Sequence, residues 1–407
     1  MERSLLGLVL LLAACSPDKS SGGDSGKVTF YEDVAPIVYE NCVGCHRPGS
    51  ITPFSLIDYA SARTVAANMA LATADRVMPP MPVDNSGSCN TYSNARWLSD
   101  EEIAIIGKWA DDGALEGNPA AAPPVPEAPP GMAAVDATLD MGVTYSPNAD
   151  LSDDYRCFVL PAPVANSTFV TAYEVVPGDT RVVHHVIVYQ PHDDAEALKA
   201  HDRDAAEAGD GYTCFGGPGV DADPLVLWAP GAGVVDLPQG TGIQLEGGRD
   251  LVMQIHYNLA GGSFPDRTLA HLGFAKVGVT PAGYMPIPDL EMKLAPGMAT
   301  VETTATIQLG THQPFTLWGA LPHMHTLGRT LHVDLQAGGN STCLVNVDRW
   351  DFHWQNAWWY ETPLHFASAD SVSIRCGYDT TDRSDTVTWG ESTTDEMCLN
   401  YVYVSSP

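Results

Sequence analysis

The stretch Leu321-Pro-His-Met-His-Thr-Leu-Gly-Arg329 sets His323 and His325 two residues apart. On a β-strand, residues i and i+2 point to one face, so the two imidazoles can converge on a single metal ion. The candidate third ligand is Met397 in Thr393-Thr-Asp-Glu-Met-Cys398, because a soft thioether beside two imidazoles suits copper that cycles through Cu(I). The competing reading of a His-x-His pair is a polar strand face on the surface. Two further groups bear on the choice. Val182-Val-His-His-Val-Ile-Val-Tyr189 carries His184 and His185, and Met253-Gln-Ile-His-Tyr-Asn258 carries His256. Adjacent strand residues face opposite sides, so His184 and His185 reach one ion only if the strand is bent or a ring coordinates through Nδ1. A lone strand histidine such as His256 is more often structural than a ligand.

Upstream, Cys42-Val-Gly-Cys-His46 has the spacing of c-type haem attachment. Two thiols one turn apart form thioethers with the haem vinyl groups while the adjacent imidazole is aimed at the iron. A zinc or thioredoxin-like use of these cysteines is disfavoured, since no second cysteine pair follows. For the sixth ligand, Met78 and Met81 both precede proline in Arg76-Val-Met-Pro-Pro-Met-Pro82, an arrangement that resembles small cytochromes c, and Met78 is favoured.

These residues need elements to position them. The chain has 407 residues, enough for two or three compact units. Acidic residues outnumber basic ones 50 to 20, a formal charge of -30, which argues against nucleic-acid binding because phosphate contacts need Lys and Arg. With 17% charged residues the chain is no disordered polyanion. Leu5 to Ala14 is long enough for a signal h-region and too short to span a bilayer. Leu12-Ala-Ala-Cys15 resembles a bacterial lipobox, which makes residues 1–15 a lipoprotein leader with Cys15 lipidated and residues 16–26 a flexible tether. Ordinary secretion is the alternative. The expected location is an exported, membrane-anchored protein facing the periplasm, on the outer membrane by the Ser16 sorting residue, or on the cell surface. Six cysteines remain after Cys15, Cys42 and Cys45, an even number that suggests disulfides in an oxidising compartment.

Residues 27–118 are expected to form a self-contained, all-α cytochrome c domain. Its closing helix spans Trp97 to Ala110, with Ser99 and Glu102 in a capping-box pattern. The Pro-rich segment 119–136 marks a boundary. Beyond it, runs such as Val182 to Tyr189, Leu251 to Asn258, Thr316 to Leu321, Thr330 to Leu335 and Val372 to Cys376 indicate antiparallel β-sandwiches. Their length supports two, over 137–280 and 281–407. Trp350 to Trp354 with Trp358, Trp359 and Tyr360 reads as core rather than as a sugar-binding face. The acidic stretch Asp193 to Asp210 reads as a solvated helix rather than a calcium site.

Residues 137–407 resemble the copper type II, ascorbate-dependent monooxygenases. His184, His185 and His256 fit one copper site of that family, and His323, His325 and Met397 fit the other. The resemblance implies two jelly-roll-like sandwiches with one copper each across a solvent-filled cleft. It implies that the all-histidine copper supplies an electron while the methionine-bearing copper takes dioxygen and attacks a substrate carbon. It further places Tyr401 against substrate and Gln254 near the all-histidine copper. It pairs Cys376 with Cys398, leaves Cys157 with Cys214 as a reasonable second pair, and leaves Cys89 and Cys343 to pair across domains or stay free. Leu321 stands where peptide-hydroxylating relatives carry a carboxylate-binding arginine, so a more apolar or differently anchored substrate is expected.

The resulting expectation is a monooxygenase that hydroxylates a C–H bond of a small organic molecule with O2, using two copper ions and one covalently bound haem. Haem replaces ascorbate as immediate reductant. Electrons pass from a periplasmic donor through His46 and Met78 to the copper at His184, His185 and His256, and then to the second site. The alternative is a non-catalytic haem/copper electron-transfer or copper-handling lipoprotein.

Overall fold

A computed structural model describes residues 26–406, apart from 49–51, 53, 128–129, 231, 260, 312, 353 and 391–394. The expected leader, its Cys15 and the tether up to residue 25 lie outside the described residues. Helices Ala35–Asn41, Tyr59–Thr64, Ala66–Ala74 and Asp100–Asp111 close around Phe30, Val38, Leu56, Ile106 and Trp109. The last helix opens on a capping box. The Glu102 N–H donates to the Ser99 hydroxyl at 3.2 Å, and the Ser99 N–H donates to the Glu102 carboxylate at 2.7 Å, which satisfies two of the orphan donors of a helix start.

The self-contained all-α unit expected over 27–118 is not what forms. Pro79, Pro80 and Pro82 lack the N–H that a helix requires, and the chain from there to Trp97 contains no helix. Met81, Val83 and Tyr92 are instead buried in the core of the C-terminal sandwich, beside Val347, Trp358 and Tyr360. Val83 pairs with Val347 and Tyr92 with Tyr360, and a Cys89–Cys343 disulfide makes the attachment covalent. The following Pro-rich segment is held as well, by Arg47 Nη2 donating to the Pro126 carbonyl at 3.2 Å and by the Met132 N–H donating to Glu174 at 2.9 Å.

Strands make up the rest. A five-stranded antiparallel sheet runs in the order Tyr212–Thr213, Asp153–Leu160, Leu251–Asn258, Val183–Pro191 and Ala222–Trp228. A four-stranded sheet runs Val301–Thr311, Ala369–Tyr378, Gly328–Ala337 and Asn340–Val347. Both pack on one continuous sheet whose order is Ala137–Asp140, Leu269–Phe274, Thr168–Val176, Thr241–Leu245, Thr280–Pro288, Leu399–Ser405, Phe315–His323 and Trp358–Phe366. The two sandwiches are therefore not independent antiparallel units. They join where Thr280 and Pro281 pair in parallel with Thr241 and Gly242. Their cores also merge, since Tyr284, Leu321, Trp359 and Tyr403 pack with Val170, Ile243 and Met253 of the first sandwich. Across the junction the Tyr173 and Tyr284 hydroxyls lie 3.2 Å apart, as do those of Thr241 and Tyr403. A shared sheet and a shared core fix the two halves relative to each other, which is what a site built from both requires.

Trp350, Trp358, Trp359 and Tyr360 are buried core residues, whereas Phe352 and Trp354 are half-buried and line cavities. Asp194–Ala206 is a helix with mostly exposed residues, as its composition predicts.

Candidate metal centres

His184 and His185 precede a buried strand interior, and the local backbone resolves how neighbours face the same way. Along the pairing with Leu251–Asn258, Val183 opposes Tyr257 and His185 opposes His256, with a register shift between Val183 and His185. His184 is the extra residue of a β-bulge, which rotates its side chain out of strict alternation. The His184 and His185 Nδ1 atoms stand 3.4 Å apart and those of His185 and His256 3.3 Å apart. Three nitrogens bound at about 2.0 Å around one ion in trigonal array would be about 3.5 Å apart, so the spacing suits a single metal. His256 Nε2 lies 2.8 Å from Asp153 Oδ1. The carboxylate accepts a hydrogen bond from Nε2–H, which leaves the Nδ1 lone pair directed at the other two rings. Tyr155 stacks on His256 with ring centroids 4.1 Å apart.

Burial holds the His185 pKa well below that of an ordinary imidazole, reinforced by the neighbouring His256 and His184. Burial lowers His256 too, against the opposing pull of Asp153. Both rings are thus neutral and available as ligands at pH 7. In the unfolded chain they protonate near pH 6.5. The stability gained by keeping them neutral is present above that pH and lost as pH falls through the lower folded values. Thermal melts of metal-free protein are expected to show Tm falling from pH 6.5 to 5, with the fall diminished in His185→Gln.

The second set forms where Phe315–His323 ends. His323 is the last residue of that strand, and His325 lies just beyond it, so the two do not share one strand face as their spacing predicts. Their rings nevertheless converge, with centroids 5.2 Å apart and planes at 89°. His323 Nδ1 is 2.5 Å from Gln355 Oε1, and His325 Nδ1 is 3.2 Å from the Asp395 carbonyl. Both partners are acceptors, so each Nδ1 carries the proton and each Nε2 keeps a lone pair. Glu396, fully buried, clasps the turn. Its carboxylate accepts from the N–H groups of His325 at 2.9 Å, Leu327 at 2.6 Å and Met397 at 3.3 Å. Burial pushes its carboxyl up to about 7 against these donors.

Both sets open on one cavity of about 360 Å³, lined by His185, His256, His323, His325 and Met397 together with Tyr401 and Gln254. The cavity is narrow. Phe352 stacks on His184 at 4.8 Å and stands edge-on to His325 at 6.1 Å, one ring touching a member of each set. Leu321, paired with Tyr401 across the sheet, also lines the wall.

The N-terminal domain model of the copper type II ascorbate-dependent monooxygenases matches residues 140–262 and the C-terminal domain model matches residues 274–405. The chain carries both domains of that family. Among proteins with similar sequences are tyramine beta-hydroxylase of Caenorhabditis briggsae, 22% identical over 68% of this chain and 50% of its own length, and dopamine beta-hydroxylase of Rattus norvegicus, 23% identical over 67% and 47%. DBH-like monooxygenase protein 1 of Gallus gallus is 26% identical over 63% and 45%. The chain spans about half the length of these relatives. The family implies two copper ions, and the donors fit them: neutral imidazoles for one, imidazoles with a nearby thioether for the other. The Cys157–Cys214 disulfide braces the strand Asp153–Leu160, in which Cys157 pairs with Gln254, and Cys376–Cys398 ties the residue after Met397 to the strand Ala369–Tyr378. The Cys214 carbonyl accepts from Gln254 Nε2 at 2.8 Å.

The family models begin downstream of Cys42-Val-Gly-Cys-His46. There, helix Ala35–Asn41 runs into a turn in which the Cys45 and His46 N–H groups donate to the Cys42 carbonyl at 3.1 and 2.9 Å. Cys42 and Cys45 are free thiols. Burial pushes the Cys42 thiol up to about 12, which opposes the thiolate that zinc binding or dithiol exchange needs. His46 Nδ1 is buried without a partner. These features are compatible with covalent haem. Met78 is half-buried and lines a small cavity with Arg76, Arg96 and Trp97; Met81 lines the same cavity but is buried and also belongs to the sandwich core.

Sequence reasoning missed Asp153, Phe352, Gln355 and the clasp role of Glu396. Glu396 adjoins Met397 and was legible as a neighbour. Asp153, Phe352 and Gln355 reach the site only through strand register and loop packing.

Proposed function

We propose that the chain hydroxylates a C–H bond of a small, uncharged, largely apolar molecule with O2, in the balance RH + O2 + 2e⁻ + 2H⁺ → ROH + H2O. The observation that carries this reading is the single cavity shared by two donor sets of unequal softness. Equal sites would suffice for storage or transfer, whereas a site with a thioether beside an all-imidazole site divides oxygen chemistry from electron supply. Bound copper at His184, His185 and His256 and at His323, His325 and Met397 supplies the one-electron chemistry. The protein does the rest. Asp153 and Gln355 fix the tautomers of His256 and His323, Glu396 holds His325 and Met397 in register, and Leu321, Phe352 and Leu399 limit water around the reacting carbon.

The cavity lining supports the substrate class. Among the described residues it includes no Asp, Glu, Lys or Arg, so a charged substrate would be buried without a partner. Oxygen uptake by copper-loaded protein is expected with neutral aliphatic or aryl-alkyl compounds. Carboxylate or ammonium analogues of the same shape are expected to fall by about 100-fold in kcat/KM, the equivalent of about 3 kcal/mol of uncompensated charge burial. Equal rates for charged and neutral analogues would remove the substrate assignment, and no copper-dependent uptake with any of them would remove the activity.

Electrons are proposed to come from a c-type haem on Cys42 and Cys45 with His46 as axial ligand and Met78 as its partner. The free thiol pair and the unpartnered His46 Nδ1 support this. A covalent-haem absorption band after denaturation tests it. Export and lipid anchoring at Cys15 are supported by the composition of the leader and by three disulfides, which persist in oxidising compartments.

A further inference from the structure

A crevice beside the Cys45 thiol extends to one of the two donor sets. Arg96 Nη1 lies 4.0 Å from Cys45 Sγ. The same arginine lines a second cavity of about 350 Å³ together with Pro80, Asn94, Trp354, Gln355 and Asn356. Gln355 and Asn356 line the metal cavity as well. Gln355 therefore forms part of the partition between the two spaces, and its Oε1 accepts from His323 Nδ1 at 2.5 Å.

This crevice is built rather than transient. The Ser93 N–H donates to the Trp359 carbonyl at 2.8 Å, Asn94 Nδ2 donates to the Ala357 carbonyl at 2.7 Å, and the Trp359 N–H donates to Asn94 Oδ1 at 3.0 Å. With the Cys89–Cys343 disulfide, these bonds fix the segment that leads into Arg96 against the strand Trp358–Phe366, which neighbours the one that ends at His323. The His184, His185 and His256 set is buttressed from elsewhere, by Asp153, Tyr155 and Phe352. From Gln355 one connection to that set runs through the Phe352 carbonyl, which accepts from Gln355 Nε2 at 2.9 Å, and then across the space between the Phe352 and His184 rings. His323 is one hydrogen bond away.

We infer that this crevice couples the haem unit to the His323, His325 and Met397 site directly, with Gln355 as the positioning residue of the contact. The inference rests on the haem reading above and reverses the order in which electrons are expected from sequence. One electron leaves a ferrous c-type haem, which becomes ferric, and reduces Cu(II) to Cu(I) at that site; no bond forms or breaks. A second ferrous-to-ferric oxidation of the haem, passed on through the first site, would supply the other electron of each turnover, stored on copper held by His184, His185 and His256.

The test uses full-length holoprotein with haem and copper, without oxygen or substrate. A radiolytic pulse delivers a substoichiometric electron to the haem, and its reoxidation is followed in the visible band. Reoxidation is expected to persist in His185→Ala, to vanish in His325→Ala, and to slow by at least ~10-fold in Gln355→Leu with an unchanged haem spectrum. Gln355→Glu, which keeps the acceptor, is expected to restore the rate. Reoxidation lost in His185→Ala and kept in His325→Ala overturns the inference and leaves the haem reading intact. Wild-type rates in Gln355→Leu remove Gln355 from the contact. A copper-loaded protein with no covalent haem overturns both.

Discussion

Met397→Ile is expected to lower substrate-dependent oxygen uptake by about 1000-fold, or about 4 kcal/mol of transition-state stabilisation, while copper at His184, His185 and His256 is retained. Met397 is 4% exposed and lies between Glu396 and the strand Leu399–Ser405. Its backbone is fixed independently of its sulfur. The Tyr378 hydroxyl donates to its carbonyl at 2.9 Å, and the next residue is bonded to Cys376. Isoleucine is apolar and similar in bulk, so the fold has no reason to rearrange. What is lost is the thioether, the soft donor that favours Cu(I) beside two imidazoles. Copper stoichiometry and electron paramagnetic resonance separate the two sites, and oxygen uptake measures the reaction. A variant that keeps a tenth or more of the wild-type rate would detach Met397 from the chemistry.

Glu396→Ala is expected to destabilise the protein by about 3 kcal/mol, since three backbone N–H groups lose the buried carboxyl oxygens that accept from them. Two of those groups belong to His325 and Met397, so copper affinity at that site is expected to fall by about 10- to 100-fold, as when other ligand-orienting partners are removed. Glu396→Gln separates the effects. Its amide oxygen can still accept, whereas its NH2 would face a donor, so stability is expected to recover in part and copper affinity less. Denaturant unfolding and copper competition titrations measure the two quantities. Full wild-type copper affinity in Glu396→Ala would show that the turn carrying His325 holds itself.

Much of the β-architecture was legible because strand alternation is local: Leu251–Asn258 and Ala369–Tyr378 cover runs predicted from their apolar pattern. The limits are equally physical. His184 and His185 are neighbours, and nothing local announces the bulge that turns them together. His323 and His325 have strand spacing, yet the strand stops between them because Glu396, 71 residues from His325, captures the following turn. Residues 79–97 read as part of a helical unit, but three prolines removed that option and left Met81, Val83 and Tyr92 to find a core in the C-terminal sandwich.

The sequence by itself determined the chemistry available, because donor identity is a property of the residue: imidazoles at 184, 185, 256, 323 and 325, a thioether at 397, and thiols with imidazole at 42, 45 and 46. Tertiary structure alone decided which donors meet and what separates them. The continuous sheet that joins the sandwiches, the Phe352 ring between the two sets, and the Gln355 partition all depend on contacts between residues far apart in the chain. Such contacts are set by register and packing across the whole domain, which no local spacing encodes.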